Sequence, residues 1–483
     1  LIVTGLENFI IQGEYKRMKR ISFTLLLLIF LPCSQTYAAE EMQRFGRFGD
    51  VWLYYQSAHP SQVVLFISGD GGWNKGVVDM ARALSSKDAL VVGIDILHFI
   101  RELEKSDEAC LYPAGDFELL SKFVQQYLNY PEYVTPILVG YSSGATLIYA
   151  ALVQAPSITF KGGISLGFCP DLETTKPFCS GNGLEWTTGP RGKGYSFLPA
   201  KILEVPWIAL QGETDQVCNP GETEKYVSQV KNGEIYMLPK VGHSFAVQKN
   251  WMPQFKQAFM RLTSVQSSSP SPQPQAIEVK DLPLMEFPVS DTTGEFLTVH
   301  ISGDGGYGVT DKGISNGLAS RGIPVVGLNS LKYFWNRRTP EVASRDLERI
   351  LRYYLSTWKK KKVILIGYSL GADVLAFMVN RLPDELHSKI QLAVLLGPSH
   401  EVDFEFHLTN WLGGSQSKSA LRVKPEVEKL KGMKILCFYG EGDKDTICPE
   451  LDTSLATIIP EKGGHRVRSN YDPIVQKILE ELK

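Results

Sequence analysis

A serine hydroxyl becomes a useful nucleophile only when a base removes its proton, and that base needs a third group to hold it in place. Two stretches of the chain offer the serine: Gly140-Tyr141-Ser142-Ser143-Gly144 and Gly367-Tyr368-Ser369-Leu370-Gly371. An apolar run precedes each (136–139 and 363–366) and another follows (147–153 and 374–379), which is the pattern of a strand, a tight turn and a helix. Such a nucleophile elbow lifts the hydroxyl above the end of a sheet, and its glycines let backbones approach with no Cβ between them. The acid and the histidine are then expected in that order along the chain. The first half supplies Asp215, in Gly212-Glu213-Thr214-Asp215-Gln216-Val217-Cys218, and His243, in Val241-Gly242-His243. The second supplies Asp443 and Asp445, in Gly440-Glu441-Gly442-Asp443-Lys444-Asp445-Thr446-Ile447-Cys448, and then His465 after Gly463-Gly464. Matching Asp215-Gln216-Val217-Cys218 to Asp445-Thr446-Ile447-Cys448 selects Asp445, with Asp443 as the alternative. The expected catalytic set is Ser369, Asp445 and His465, with Ser142, Asp215 and His243 as a second set.

An attacked carbonyl also needs N–H donors for the negative charge that develops on its oxygen. The string Ser-Gly-Asp-Gly-Gly, at 68–72 and 302–306, follows an early strand in each half. Gly71 and Gly72 with the N–H of Ser143, and Gly305 and Gly306 with the N–H of Leu370, are the expected donors. Asp70 and Asp304 either orient the loop or pair with a cationic substrate group. The chemistry calls for no metal and no organic cofactor.

These residues recur because the chain repeats itself. Ile67 to Trp73 returns as Ile301 to Tyr307, 234 residues later; Val91-Val92-Gly93-Ile94 returns as Val325-Val326-Gly327-Leu328 at the same offset; the elbow returns after 227. A period this long means a tandem domain duplication, because solenoid units are far shorter. A Ser-, Pro- and Gln-rich stretch separates the copies and is too polar to bury a core. The expected organisation is a first domain over 39–263, a linker over 264–283 and a second domain over 284–483. Short apolar runs (63–67, 90–94, 137–139, 207–210) alternate with longer amphipathic ones (117–128, 340–355). That alternation predicts an α/β fold, a mostly parallel sheet with helices on both faces in each half.

With 483 residues, 43% apolar and 21% charged, the chain is globular and too long for a single core. A net charge of -2 gives no basic excess to recruit nucleic acid. Seven cysteines form no Cys-x-x-Cys pair, which leaves a zinc ribbon without support. Met18-Lys19-Arg20, the apolar run 21–31 and the small residues before Ala39 predict a cleaved secretory signal over 18–38, with 1–17 as upstream reading frame. Export leaves Cys110, Cys169, Cys179, Cys218, Cys437 and Cys448 in a compartment that permits disulfides, and spacing alone does not fix their pairing.

Taken together, the residues resemble the α/β-hydrolase fold and, more narrowly, the bacterial AcvB/VirJ family of exported virulence-associated proteins. The resemblance rests on Ser302-Gly303-Asp304-Gly305-Gly306, on 325–328 leading to Ser330-Leu331-Lys332-Tyr333-Phe334-Trp335, on Gly367 to Val374, and on Asn380-Arg381-Leu382-Pro383. The second half is similar to the single-domain members and the whole mature chain to the two-domain ones. The resemblance implies a periplasmic serine hydrolase that removes the aminoacyl group from aminoacyl-phosphatidylglycerol at the membrane surface, with Ser369, Asp445 and His465 matching its triad. It also implies an association with type IV secretion proteins. A rival reading is a periplasmic interaction protein that uses a hydrolase fold as a scaffold; two complete Ser/Asp/His sets argue against it.

Overall fold

Nearly every residue of the runs 62–67 and 89–94 is apolar and buried, as strands covered by helices on both faces require. In the computed structural model, which describes residues 39–264, 279–289, 293–405, 420–465 and 471–482, they lie at the centre of the first of two large sheets. The expected signal peptide, the stretch before it and linker residues 265–278 lie outside the described residues.

The first sheet starts with β1 (Ala39–Phe45), β2 (Gly49–Tyr55), β3 (Gln62–Ile67), β4 (Ala89–Ile94), β5 (Ile137–Tyr141) and β6 (Gly162–Leu166). A small three-stranded flap follows, made of β7 (Asp171–Leu172), β8 (Trp186–Thr188) and β9 (Tyr195–Phe197). Then β10 (Trp207–Gly212) and β11 (Gly233–Leu238) complete the order β1-β2-β4-β3-β5-β6-β10-β11. β2 runs antiparallel to both neighbours, and every other pair is parallel.

The second half repeats the plan. It comprises β12 (Leu284–Phe287), β13 (Phe296–Ile301), β14 (Val325–Leu328), β15 (Lys362–Tyr368) and β16 (Ile390–Leu396). A ribbon of β17 (Glu401–Val402) and β18 (Leu421–Arg422) precedes β19 (Ile435–Gly440) and β20 (Thr457–Glu461). The order is β12-β14-β13-β15-β16-β19-β20, with only β12 antiparallel. Position by position this is the first sheet without a counterpart of β1 among the described residues.

Helices cover each sheet according to their sequence pattern. In Pro340–Thr357 the buried residues Ala343, Leu347, Ile350, Leu351 and Tyr354 form one stripe, and the Thr339 hydroxyl caps the start by accepting from the Val342 N–H at 3.3 Å. Helices Ser143–Gln154 and Leu370–Val379, which carry the elbows, are mostly apolar and buried on nearly every side against their sheets. Val279 and Leu282, assigned by composition to the linker, are buried in the second core, and Asp281 pairs with Arg349 at 3.0 Å.

Three disulfides join Cys110 to Cys179, Cys169 to Cys218 and Cys437 to Cys448. The halves touch through the segment after β14. Trp335 buries its indole against Tyr133 of the first half and donates Nε1–H to the Tyr130 carbonyl at 2.9 Å. Asn336 donates to the Pro131 carbonyl at 2.7 Å. No helix among the described residues is long and apolar enough to cross a membrane.

Candidate active sites

Each elbow turns within one residue. β5 ends at Tyr141 and its helix begins at Ser143, so Ser142 takes φ 56° and ψ −124°; Ser369 takes φ 51° and ψ −120°. A non-glycine residue at such φ carries strain of about 1–3 kcal/mol, maintained by the packing around it. That packing needs Gly367 and Gly371. A Cβ on Gly367 would stand 2.4 Å from the Gly371 carbonyl oxygen, and one on Gly371 would stand 2.1 Å from that of Ile301.

The first site brings together the three residues that the sequence selects. Ser142 Oγ lies 2.9 Å from His243 Nε2, and His243 Nδ1 lies 2.9 Å from Asp215 Oδ2. Asp215 is buried. Its Oδ1 accepts from the N–H groups of Val217 and Cys218 at 2.8 and 2.9 Å, and its Oδ2 accepts from Gln211 Nε2 at 3.1 Å. These donors fix the direction of the carboxylate.

The second site departs from expectation at the acid. Ser369 Oγ lies 2.9 Å from His465 Nε2, but His465 Nδ1 meets Asp443 Oδ2 at 2.7 Å, not Asp445. The Asp443 side chain is 6% exposed, and its Oδ1 accepts the Asp445 N–H at 3.1 Å. Asp445 points outward to the His400 Nδ1 at 2.6 Å, while His400 Nε2 meets Glu450 at 2.8 Å. The reason is register. In both halves the acid stands three residues past the glycine that ends its strand, Gly212 to Asp215 and Gly440 to Asp443. The cysteines that suggested Asp445 are not equivalent, because Cys218 is bonded to Cys169 and Cys448 to Cys437.

Two of the four expected glycine donors, Gly72 and Gly306, are otherwise engaged. The N–H groups of Gly72 and Gly306 close turns onto the carbonyls of Gly69 and Gly303, at 2.9 and 3.0 Å, which takes them away from the serine. Around Gly305 nothing lies within 4 Å of a Cβ built there, and one on Gly71 would meet only Asn74. The backbone beside the nucleophile belongs to Gly69 and Gly303, whose built Cβ atoms stand 2.9 Å from Ser142 Cβ and 3.5 Å from Ser369 Cβ. Ser143 and Leu370 open their helices, so their N–H groups have no intrahelical partner.

Around these cores the sites differ in charge. Asp70 accepts from the Ser143 hydroxyl at 2.6 Å, a bond that Leu370 cannot offer Asp304. Thr146, four residues past Ser142, donates to the Cys169 carbonyl at 2.6 Å; the matching residue of the second half is the buried Asp373. Asp373 accepts from the Ser399 N–H at 2.6 Å. Burial pushes its carboxyl well above the ordinary range, and the negative charges of Asp445 and Asp304 push the same way. His400 is raised by its bonds to Asp445 and Glu450. Asp373 and His400 are not recognisable as site residues from sequence, since each gains its neighbours only through the fold.

Fold and geometry define the class: a tandem α/β-hydrolase fold with a nucleophile elbow in each half. The sequence pattern of the family described as bacterial virulence protein (VirJ) matches residues 61–161 and 295–483, more than half of the chain, and the chain belongs to this VirJ family. The first match holds Ser142 and ends before Asp215, whereas the second spans Ser369, Asp443 and His465. No curated protein matches the chain.

Among solved structures, Est1E from Butyrivibrio proteoclasticus is 13% identical, with 47% of this chain covering 100% of that one at a TM-score of 0.33. An esterase domain of a Rhodothermus marinus protein is 15% identical, with coverage of 46% and 98% and a TM-score of 0.31. An α/β serine hydrolase without a lid from Xanthomonas campestris is 18% identical, with coverage of 48% and 97% and a TM-score of 0.31.

Proposed function

We propose that the chain is a serine hydrolase of carboxylic esters, with Ser369, His465 and Asp443 as its principal triad. The observation that carries this reading is the twice-built relay from serine through histidine to a buried carboxylate. With its Nδ1 proton on Asp443, the His465 ring leaves Nε2 to accept from Ser369. Ser369 Oγ attacks the ester carbonyl carbon as Nε2 takes its proton. The bond to the alcohol oxygen breaks as Nε2 returns that proton to it, and water releases the acyl group by the same route. We assign the oxyanion to the Leu370 N–H and the backbone beside Gly303.

Asp304, on the glycine loop of the second site where residue 370 offers no hydroxyl, favours a substrate that carries a positive charge beside its ester, and the ammonium group of an aminoacyl ester does so. We therefore take aminoacyl-phosphatidylglycerol as the substrate and the periplasm as the location. Three disulfides support an oxidising compartment. Acetylating the amino group of a model aminoacyl ester should lower kcat/KM at least tenfold in the wild type; equal turnover of both esters would refute the aminoacyl assignment.

The hydrolase reading is tested by intact-mass analysis after fluorophosphonate treatment of wild type, Ser142→Ala and Ser369→Ala. One adduct lost only in Ser369→Ala makes the second half the enzyme, and two adducts make both halves active. A folded protein without any adduct would favour the scaffold reading.

A further inference from the structure

Between the halves lies an open cleft of about 530 Å³, apart from both serines, with one ammonium group on each wall. Lys161, at the N-terminal end of β6, comes from the first half, and its Nζ donates to Gln62 at 3.1 Å. Lys332, in the short helix Ser330–Tyr333 after β14, comes from the second. Desolvation lowers both ammonium groups from the ordinary lysine range, and Glu132 opposes this only for Lys332. A third lysine at the interface, Lys312, bonds the Ser157 hydroxyl and lies 3.9 Å from Glu204. Three lysines thus meet at the interface against Glu204 and Glu132, and the cleft adds the amide or hydroxyl groups of Gln62, Ser157 and Asn329.

Ammonium groups facing one water-accessible space with too little negative charge around them favour an anion. Donors arriving from several directions suit a tetrahedral oxyanion with many acceptor positions. We infer that this cleft binds a phosphate group, held between Lys161 of the first half and Lys332 of the second. Bound phosphate bridges the halves. It also borders the glycine loop after β13, because Asn329 in the cleft wall lies 3.2 Å from where a Cβ on Gly306 would stand. The phosphate belongs either to a lipid headgroup or to free phosphate, and binding requires no turnover by Ser369.

The test is calorimetric titration of the full chain carrying Ser369→Ala, in phosphate-free, low-salt buffer. The probes are inorganic phosphate and, below its micelle concentration, dihexanoyl phosphatidylglycerol. Binding of either probe that weakens about tenfold or more in Lys161→Gln and again in Lys332→Gln supports the site. The probe that binds tighter identifies the source. A measurement on the unsubstituted lysines guards against variants that fold poorly: in ¹³C-methylated protein, two lysine resonances should titrate below the ordinary range and move upward on addition of phosphate. No binding of either probe, binding unchanged in both variants, or lysine titrations indifferent to phosphate would overturn the inference.

Discussion

Asp443 and Asp445 are two residues apart and differ in everything that matters for catalysis. Asp443 is buried on the ring of His465, whereas Asp445 is more than half exposed and engaged with His400. Asp443→Asn should therefore lower kcat by about 10⁴-fold, the scale for a triad carboxylate replaced by its amide, while Asp445→Asn stays within about tenfold of wild type. Ester-hydrolysis kinetics of the two variants, with circular dichroism to confirm folding, decide between the residues. Serines and histidines were legible in the sequence because each sits in a short glycine-marked string at a strand end. So was Asp215, but the acid of the second site was not, because two aspartates compete in one loop and only the strand's last residue sets the register. His400 carries a prediction of its own. Its folded pKa lies above the unfolded value of about 6.5, so its contribution to stability is complete below that pH and fades as pH rises through the folded value. Wild type should melt above His400→Gln at pH 5.5 and level with it at high pH, and a pH-independent difference in Tm would exclude the assignment.

At the scale of elements, the strands and helices followed from pattern, since continuous apolar runs met the centre of the sheets and amphipathic runs met their faces. Pairings that join distant segments were not readable. Cys169 bonds Cys218 across 49 residues, although Cys179 is nearer in sequence. This bond ties the loop after β6 to the loop that carries Asp215, whose carboxylate accepts the Cys218 N–H. A loop of that length lowers unfolded-state entropy by about 4 kcal/mol equivalent at room temperature. The double variant Cys169→Ser/Cys218→Ser should unfold at lower denaturant and lose fluorophosphonate labelling at Ser142 before that at Ser369. The bond Cys437–Cys448, which closes only 11 residues, should give the smaller stability loss when replaced. Equal sensitivity of the two serines would show that the Cys169–Cys218 bridge does not hold the first site.

The duplication, seen at the scale of the whole molecule, set two sheets of one order but not how they meet. The meeting point is Trp335, which enters the sequence reading only as the end of Ser330-Leu331-Lys332-Tyr333-Phe334-Trp335. In the fold Tyr333 and Phe334 turn into the second core, while Trp335 crosses to Tyr130 and Tyr133 of the first half. Trp335 is 5% exposed, buried with Leu331 of its own half and Tyr133 of the first, apart from the main cores. Each half has its own hydrophobic cores, so each can in principle unfold separately, and the interface couples them in proportion to what it buries. Truncating a buried tryptophan costs about 3–5 kcal/mol, and here nearly all of that loss falls on the coupling and little on either core. Scanning calorimetry of Trp335→Ala should resolve two transitions further apart than in wild type, with the total unfolding enthalpy little changed. A single transition shifted as a whole would place Trp335 in the core of one half and remove it as the tie between them. Labelling of Ser369 in the same variant extends the argument. The segment that carries Trp335 leaves β14 beside the glycine loop of the second site, so freeing the halves should slow labelling there while Ser142 reacts at its wild-type rate.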